Sequence, residues 1–127
     1  MDHGSWPKEE GQSLTELALI LPVMLLLLAI ALDAGRAMMT HMEVVHAARE
    51  GAWVAARPVT SEVMARRATL DALREAGLDP ARASVSVVIR SPGQPVEVRV
   101  SYTYRPLMSF LPLRSITLRA RQTAVRW

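Results

Sequence analysis

The metal-ligating and acid–base side chains of this 127-residue chain gather at few places. His41 and His46 flank Glu43, and His46 stands four residues before Glu50, a spacing that brings two ligands onto one helical face. A metal ion needs three or four such groups, and no second cluster supplies the remainder. The chain has no cysteine, so it has neither a disulfide framework nor a thiolate nucleophile. It lacks a glycine-rich nucleotide loop and a G-x-S-x-G serine; its serines sit where caps, strands and turns are expected. No catalytic residue, metal or cofactor is expected, and the chain reads as something other than an enzyme.

One charged group sits where charge is costly. In "GQSLTELALILPVMLLLLAIALDAGR", Gly11 to Arg36, the sixteen residues from Leu17 to Leu32 contain nothing more polar than Pro22, and Glu16 stands directly before them. A carboxylate at the lip of a membrane-grade helix needs a counter-ion. Were the chain cut after Gly11, Gln12 would become its first residue and Glu16 its fifth. The new amine would lie about one helical turn from the carboxylate. In a bundle of staggered helices, the amine of one subunit could then meet Glu16 of another.

The element that positions Glu16 is a long helix. Sixteen residues rise about 24 Å, short of a hydrocarbon core of about 30 Å. Extension through Ala34, Ala37, Met38 and Met39 predicts a membrane span over about residues 17–39, with Asp33 and Arg36 neutralising each other at i,i+3 near the headgroups. Pro22 is expected to kink the helix and free the carbonyl of Ala18. An ordinary secretory signal is the rival reading, with Ala29-Ile30-Ala31 as its small-residue cleavage pattern. Against it stand the acidic leader "MDHGSWPKEE", where a basic one is wanted, and a helical pattern that continues past Ala31.

Beyond Arg36 the only helix breaker before Pro58 is Gly51. Small residues recur every four positions, Ala47, Gly51 and Ala55 in one row and Ala48, Ala52 and Ala56 in the next. Such rows let a second helix approach closely, or else lie flat on the protein's own sheet; both readings stay open. The first element therefore runs from about Ser13 to Arg57, half in lipid and half outside it.

A second helix follows in "TSEVMARRATLDALREAGLDP". Thr60 or Ser61 caps it, Glu62 sits in its first turn, Val63, Leu70 and Leu73 with Ala76 form its apolar face, and Gly77 stops it. Three strands come next. "ASVSVVIRS" alternates Val85, Val87 and Ile89 with polar residues, and "PVEVRVSYTYRP" alternates Val96, Val98, Val100, Tyr102 and Tyr104. "SITLRARQTAVRW" alternates Ile116, Leu118 and Ala120. Ser91–Gln94 forms a hairpin connection, and the apolar link "LMSFLPLR" is expected as a lid on the core, with a short helix or a contact to membrane or partner as the alternatives. The fold class is α+β: a long N-terminal helix, transmembrane and then amphipathic, a second helix, and a three-stranded antiparallel sheet. The domain boundaries fall at 1–11, a leader; 12–57, the N-terminal helix; and 58–127, a small α+β domain.

The charge pattern suggests a second function class. Net charge is +3, the only lysine is Lys8, and beyond Glu97 the chain carries six arginines and no acid. An anionic partner such as DNA would suit them. Tyr102 and Tyr104, however, alternate onto the apolar face, away from the arginines, which disfavours nucleic acid. Lys8 alone precedes the span while Arg36 and Arg49 follow it, so charge counting leans mildly toward an inward-facing C-terminus.

Gly11, Glu16, Pro22, the Asp33-x-Gly35-Arg36 step and the run Ala47-Ala48-Arg49-Glu50-Gly51-Ala52 together resemble the TadE-like family, minor pseudopilins of tight-adherence (Tad/Flp) type IV pilus systems. The resemblance implies a pilin-like fold and cleavage by a membrane prepilin peptidase between Gly11 and Gln12. It implies an assembly role for Glu16, and other pilin or pseudopilin subunits and Tad assembly proteins as partners. It also implies a single-pass protein of the cytoplasmic membrane, N-terminus in the cytoplasm and C-terminal domain outside, acting in pilus assembly. The alternative is a single-pass anchored or secreted domain with an ordinary signal segment.

Overall fold

A computed structural model describes residues 8–108 and 114–126, with side chains from residue 11 onward. Helix α1 spans Lys8–Ala56 and is roughly 70 Å long. It begins some five residues before the expected Ser13 and runs through Gly11. Pro22 lies inside α1 without ending it. The chain leaves the helix just ahead of Pro58, where the Arg57 amide donates to the Val54 carbonyl at 3.2 Å to close a tight last turn. The first seven residues of the expected leader lie outside the described residues, as do residues 109–113 of the apolar link.

Helix α2, Glu62–Glu75, starts and stops through local chemistry. The Ser61 hydroxyl accepts the Met64 amide at 3.3 Å and Glu62 occupies the first turn. At the other end Gly77 adopts φ +78°, the Leu78 amide donates to the Leu73 carbonyl and the Gly77 amide to that of Arg74. This pair of bonds is a Schellman motif, which needs the left-handed conformation that glycine tolerates. The buried row is Ala65, Thr69 and Leu73. Val63, expected on the apolar face, is 74% exposed. Apolarity pointed to Val63, but the face is set by how closely α2 must approach α1, and small Ala65 and Thr69 allow that approach where valine would not.

After a 3-10 turn at Pro80–Arg82, three strands form an antiparallel meander in the order β1, Ala83–Val88; β2, Pro95–Tyr104; and β3, Ile116–Val125. The turn between β1 and β2 is closed by the Gln94 amide on the Ser91 carbonyl at 3.0 Å, with Gly93 at φ +82° behind Pro92, as in a type II turn. β2 is central, and Val96, Val98, Val100, Tyr102 and Tyr104 all point into the core. The edge strands bury less. Val85 and Ala120 are buried, Val87 and Leu118 half-buried, and Ile116 is exposed. The register pairs Ala83 with Tyr102 and Ile116 with Tyr104, so one end of the sheet gathers those residues.

The sheet turns its apolar face to α2 and to the second half of α1. Val44, Ala47, Ala48 and Ala52 of α1 meet Leu73, Val85, Val98, Val100, Tyr102 and Ala120 in the main core, while Ala55, Ala56, Ala65 and Val96 close its far end. β2 thus runs antiparallel to α1, with Val96 beside the helix end and Tyr104 beside Asp33, the last point of contact before the apolar half.

Candidate functional site

Residues 11–28 of α1 are all exposed, and the helix contains a window of mean hydropathy 2.6 with none of it buried. Leucine, isoleucine and valine in that number left uncovered by the protein's own fold mark a surface meant for lipid or for other helices. By length and composition this helix can cross a membrane. Glu16 projects from the rod near its start, exposed, and no basic group among the described residues pairs with it. Gly11 and Gln12 lie within α1, where the Thr15 hydroxyl donates to the Gly11 carbonyl at 3.0 Å. The bond between them therefore lies within the helix.

The small residues expected to pack helices sit inside the fold. Ala47, Ala48, Gly51, Ala52, Ala55 and Ala56 are all buried, against α2 and the sheet. Gly51 marks the closest approach. A Cβ there would lie 1.9 Å from Thr69 Oγ1, whose hydroxyl donates to the Ala65 carbonyl at 2.9 Å. Of the two readings open for this stripe, the structure has its own sheet and α2 occupying it.

Asp33 departs from expectation. Rather than facing Arg36 at the headgroups, it turns inward and is buried, at 9% exposure. The Tyr104 hydroxyl donates to Asp33 Oδ1 at 2.8 Å, and the Leu107 amide donates to the same oxygen at 3.2 Å. No ion pair with Arg36 forms among the described residues. A buried carboxylate that receives two donors is stabilised more than one offered a single mobile guanidinium at a wet surface. Burial pushes the Tyr104 phenol above its ordinary range, and the Asp33 carboxylate pushes it further, so the phenol keeps its proton and remains the donor. Asp33 and Tyr104 are a junction that sequence reading missed. The available signals were an isolated acid at the end of an apolar run and a tyrosine closing a core-facing alternation.

The arginines divide into two kinds. Arg126 is structural, donating to the carbonyls of Arg90 and Pro58 at 2.8 and 3.0 Å and tying the far end of the sheet to the α1–α2 link. On the outer sheet face, Arg99 and Arg121 are directly opposed across β2 and β3, and Glu97 accepts from both, at 2.8 Å from Arg121. Partial burial raises the Glu97 carboxyl, but the two guanidiniums outweigh it and hold it below the usual carboxylate range. Tyr102 and Tyr104 are buried, so among the described residues this face offers no aromatic platform for stacked bases. Glu43, His46 and Glu50 line a groove with Asp71 and Glu75 of α2, and no group of three or more ligands able to hold a metal ion occurs among the described residues.

An apolar helical rod of membrane-crossing length, continuous with the packing helix of a small α+β domain, defines the class: a rod-and-domain protein built on one helix. Residues 11–53 are TadE-like, matching the family model described as TadE-like protein. The match covers the rod, Glu16, Asp33 and the alanine–glycine rows as far as Trp53, and ends before α2 and the sheet. No curated protein and no solved structure matches the chain.

Proposed function

We propose that the protein is a non-catalytic, minor pseudopilin-like subunit acting in assembly of a Tad (Flp) pilus. In this reading α1 spans the cytoplasmic membrane once, with the leader in the cytoplasm and the α+β domain outside. Prepilin peptidase cuts between Gly11 and Gln12, and the freed amine pairs with Glu16 of a neighbouring subunit. The observation that carries the reading is the uncovered rod with an unpaired carboxylate at its start, five residues past Gly11. An unpaired acid in a bilayer costs up to about 2.5–3.5 kcal/mol at the helix centre, so a bundle that supplies a counter-ion gains specificity from it.

N-terminal sequencing of the protein from cells with and without prepilin peptidase tests the cleavage. A mature start at Gln12 that depends on the peptidase is expected; a start near Leu32 would favour an ordinary signal, and with it a domain released from the rod. Glu16→Ala is expected to leave membrane insertion intact and to reduce piliation severely, read by counting surface pili. Normal piliation in that variant would remove the amine–carboxylate pairing from the account.

A further inference from the structure

Helix α1 serves as a depth gauge for the domain, given the reading above that it spans a bilayer. About twenty residues cross a hydrocarbon core of about 30 Å. Counted from Leu17, the first residue of the apolar run, the core ends within the turn Asp33–Arg36. The connection leaving β2 is fixed at that same level, because the Tyr104 hydroxyl and the Leu107 amide both donate to Asp33. The domain is therefore not carried on a free stalk. Its lower rim is bound to the helix at the height where acyl chains give way to headgroups.

The side chains at that height suit the boundary. Leu107 is 66% exposed, and Ile116, opposite Tyr104 in register, is 48% exposed. A mostly apolar cleft of about 170 Å³ opens beside Ile116, lined by Ile30, Ala34, Ala37, Pro106, Met108 and Ile116, with Asp33, held by its two donors, in its wall. Arg36, Arg105 and Arg114 are exposed and close in sequence to these residues: Arg36 is three positions past Asp33, Arg105 follows Tyr104, and Arg114 is two positions before Ile116. The acids there are already engaged, since Asp33 is buried under its two donors and Asp79 lies 3.9 Å from Arg82, which shares a surface hollow with Arg105.

We propose that this rim is a membrane-docking surface for anionic lipid. Leu107 and Ile116 enter the acyl boundary, the cleft takes the glycerol-proximal segment of an acyl chain, and Arg36, Arg105 and Arg114 engage the lipid phosphates. Arginine suits that position because its guanidinium binds phosphate in a bidentate manner while its stem lies along apolar surface. Polybasic segments beside a membrane helix are drawn to anionic leaflets in the same way. Docking would fix the tilt and rotation of the domain relative to the bilayer and so set which of its faces meets a neighbouring subunit.

The chain has no cysteine, which makes single labels straightforward. Leu107→Cys, Ile116→Cys, Leu25→Cys and Ser91→Cys variants of the full chain are spin-labelled in nanodiscs of phosphatidylcholine with and without phosphatidylglycerol. Collision with oxygen, which partitions into lipid, is compared with collision with an aqueous nickel chelate. Labels at 107 and 116 are expected to show an oxygen-to-nickel ratio several-fold above the label at 91, on the distant hairpin, and to rise further with phosphatidylglycerol. Replacing Arg36, Arg105 and Arg114 together by glutamine should abolish that further rise. If the label at 25 is in lipid while those at 107 and 116 match the one at 91, docking is overturned and the spanning reading stands. If the label at 25 is itself aqueous, the spanning reading fails and docking fails with it. An increase with phosphatidylglycerol that survives the triple glutamine change would refute the arginine–lipid contact.

Discussion

The two halves of α1 invert the usual relation between size and burial. From Leu17 to Leu32 the helix carries large apolar side chains and leaves nearly all of them uncovered; from Val44 to Ala56 it buries chiefly alanine and glycine. Hydrophobicity alone would sort these halves the other way, because burying a leucine gains far more than burying an alanine. What separates them is the partner. The second half meets its own α2 and sheet, where small side chains let backbones come close and Leu73, Val98 and Val100 supply the apolar bulk. The first half has no partner among the described residues, and its large side chains are left uncovered. One continuous helix thus contains a packing element and a stretch long and apolar enough to cross a membrane, and the change occurs at Asp33.

The comparison breaks most severely at Gly51. Gly51→Leu would drive a branched side chain into the space where even a Cβ meets Thr69 Oγ1 at 1.9 Å. Helix preference favours the replacement of glycine by about 1 kcal/mol, but overpacking of this kind costs about 1–3 kcal/mol and more where backbones must separate. A net loss of about 3 kcal/mol is expected, read as a lowered urea midpoint for the detergent-solubilised chain. Gly51→Ala is expected to lose less, and Thr69→Ala should restore part of that loss by removing the hydroxyl it strikes. A stable Gly51→Leu variant would mean that α1 and α2 are not in close contact.

Much of this arrangement could be read from residues in order, and the exceptions share one cause. β2 was legible because five alternate positions from Val96 to Tyr104 are apolar, and the ends of α2 because Ser61 and Gly77 act within four or five residues of themselves. The face of α2 was less legible. Its burial depends on Gly51, some eighteen residues away, and the larger Val63 outweighed Ala65 when only apolarity was counted. Asp33 was least legible, since Arg36 is its neighbour in sequence and Tyr104, its true partner, is 71 positions distant. For the rod, sequence periodicity carries the length and apolarity, but the absence of an internal partner for Glu16 emerges only when the rest of the fold has been placed.

A milder change tests the point where the halves meet. Tyr104→Phe keeps the ring and deletes the hydroxyl that donates to Asp33 at 2.8 Å. The carboxylate keeps the Leu107 amide, so the variant should fold with a loss of about 1–2 kcal/mol, the range for one buried hydrogen bond. Hydrogen exchange offers the sharper measurement. Protection of the Leu107 amide should fall while that of β2 amides near Val98 is retained, because the junction opens locally before the sheet does. Equal loss at both places would show that Asp33–Tyr104 supports the whole core and not the boundary alone.

The smallest effect is expected in the rod, where it carries the most information. Leu25→Ala removes a larger side chain than Val44→Ala, yet Leu25 is exposed and Val44 is fully buried. In detergent, Val44→Ala should destabilise the domain by about 1–3 kcal/mol through lost burial and a residual cavity. Leu25→Ala should leave the unfolding midpoint unchanged, since Leu25 is exposed among the described residues. In a bilayer the leucine regains a role, but a single one contributes only about 0.5 kcal/mol to insertion, and fifteen neighbours share the task. A measurable loss of domain stability from Leu25→Ala in detergent would imply that the rod folds back onto the domain. The division of α1 at Asp33 would then have to give way to a single buried helix.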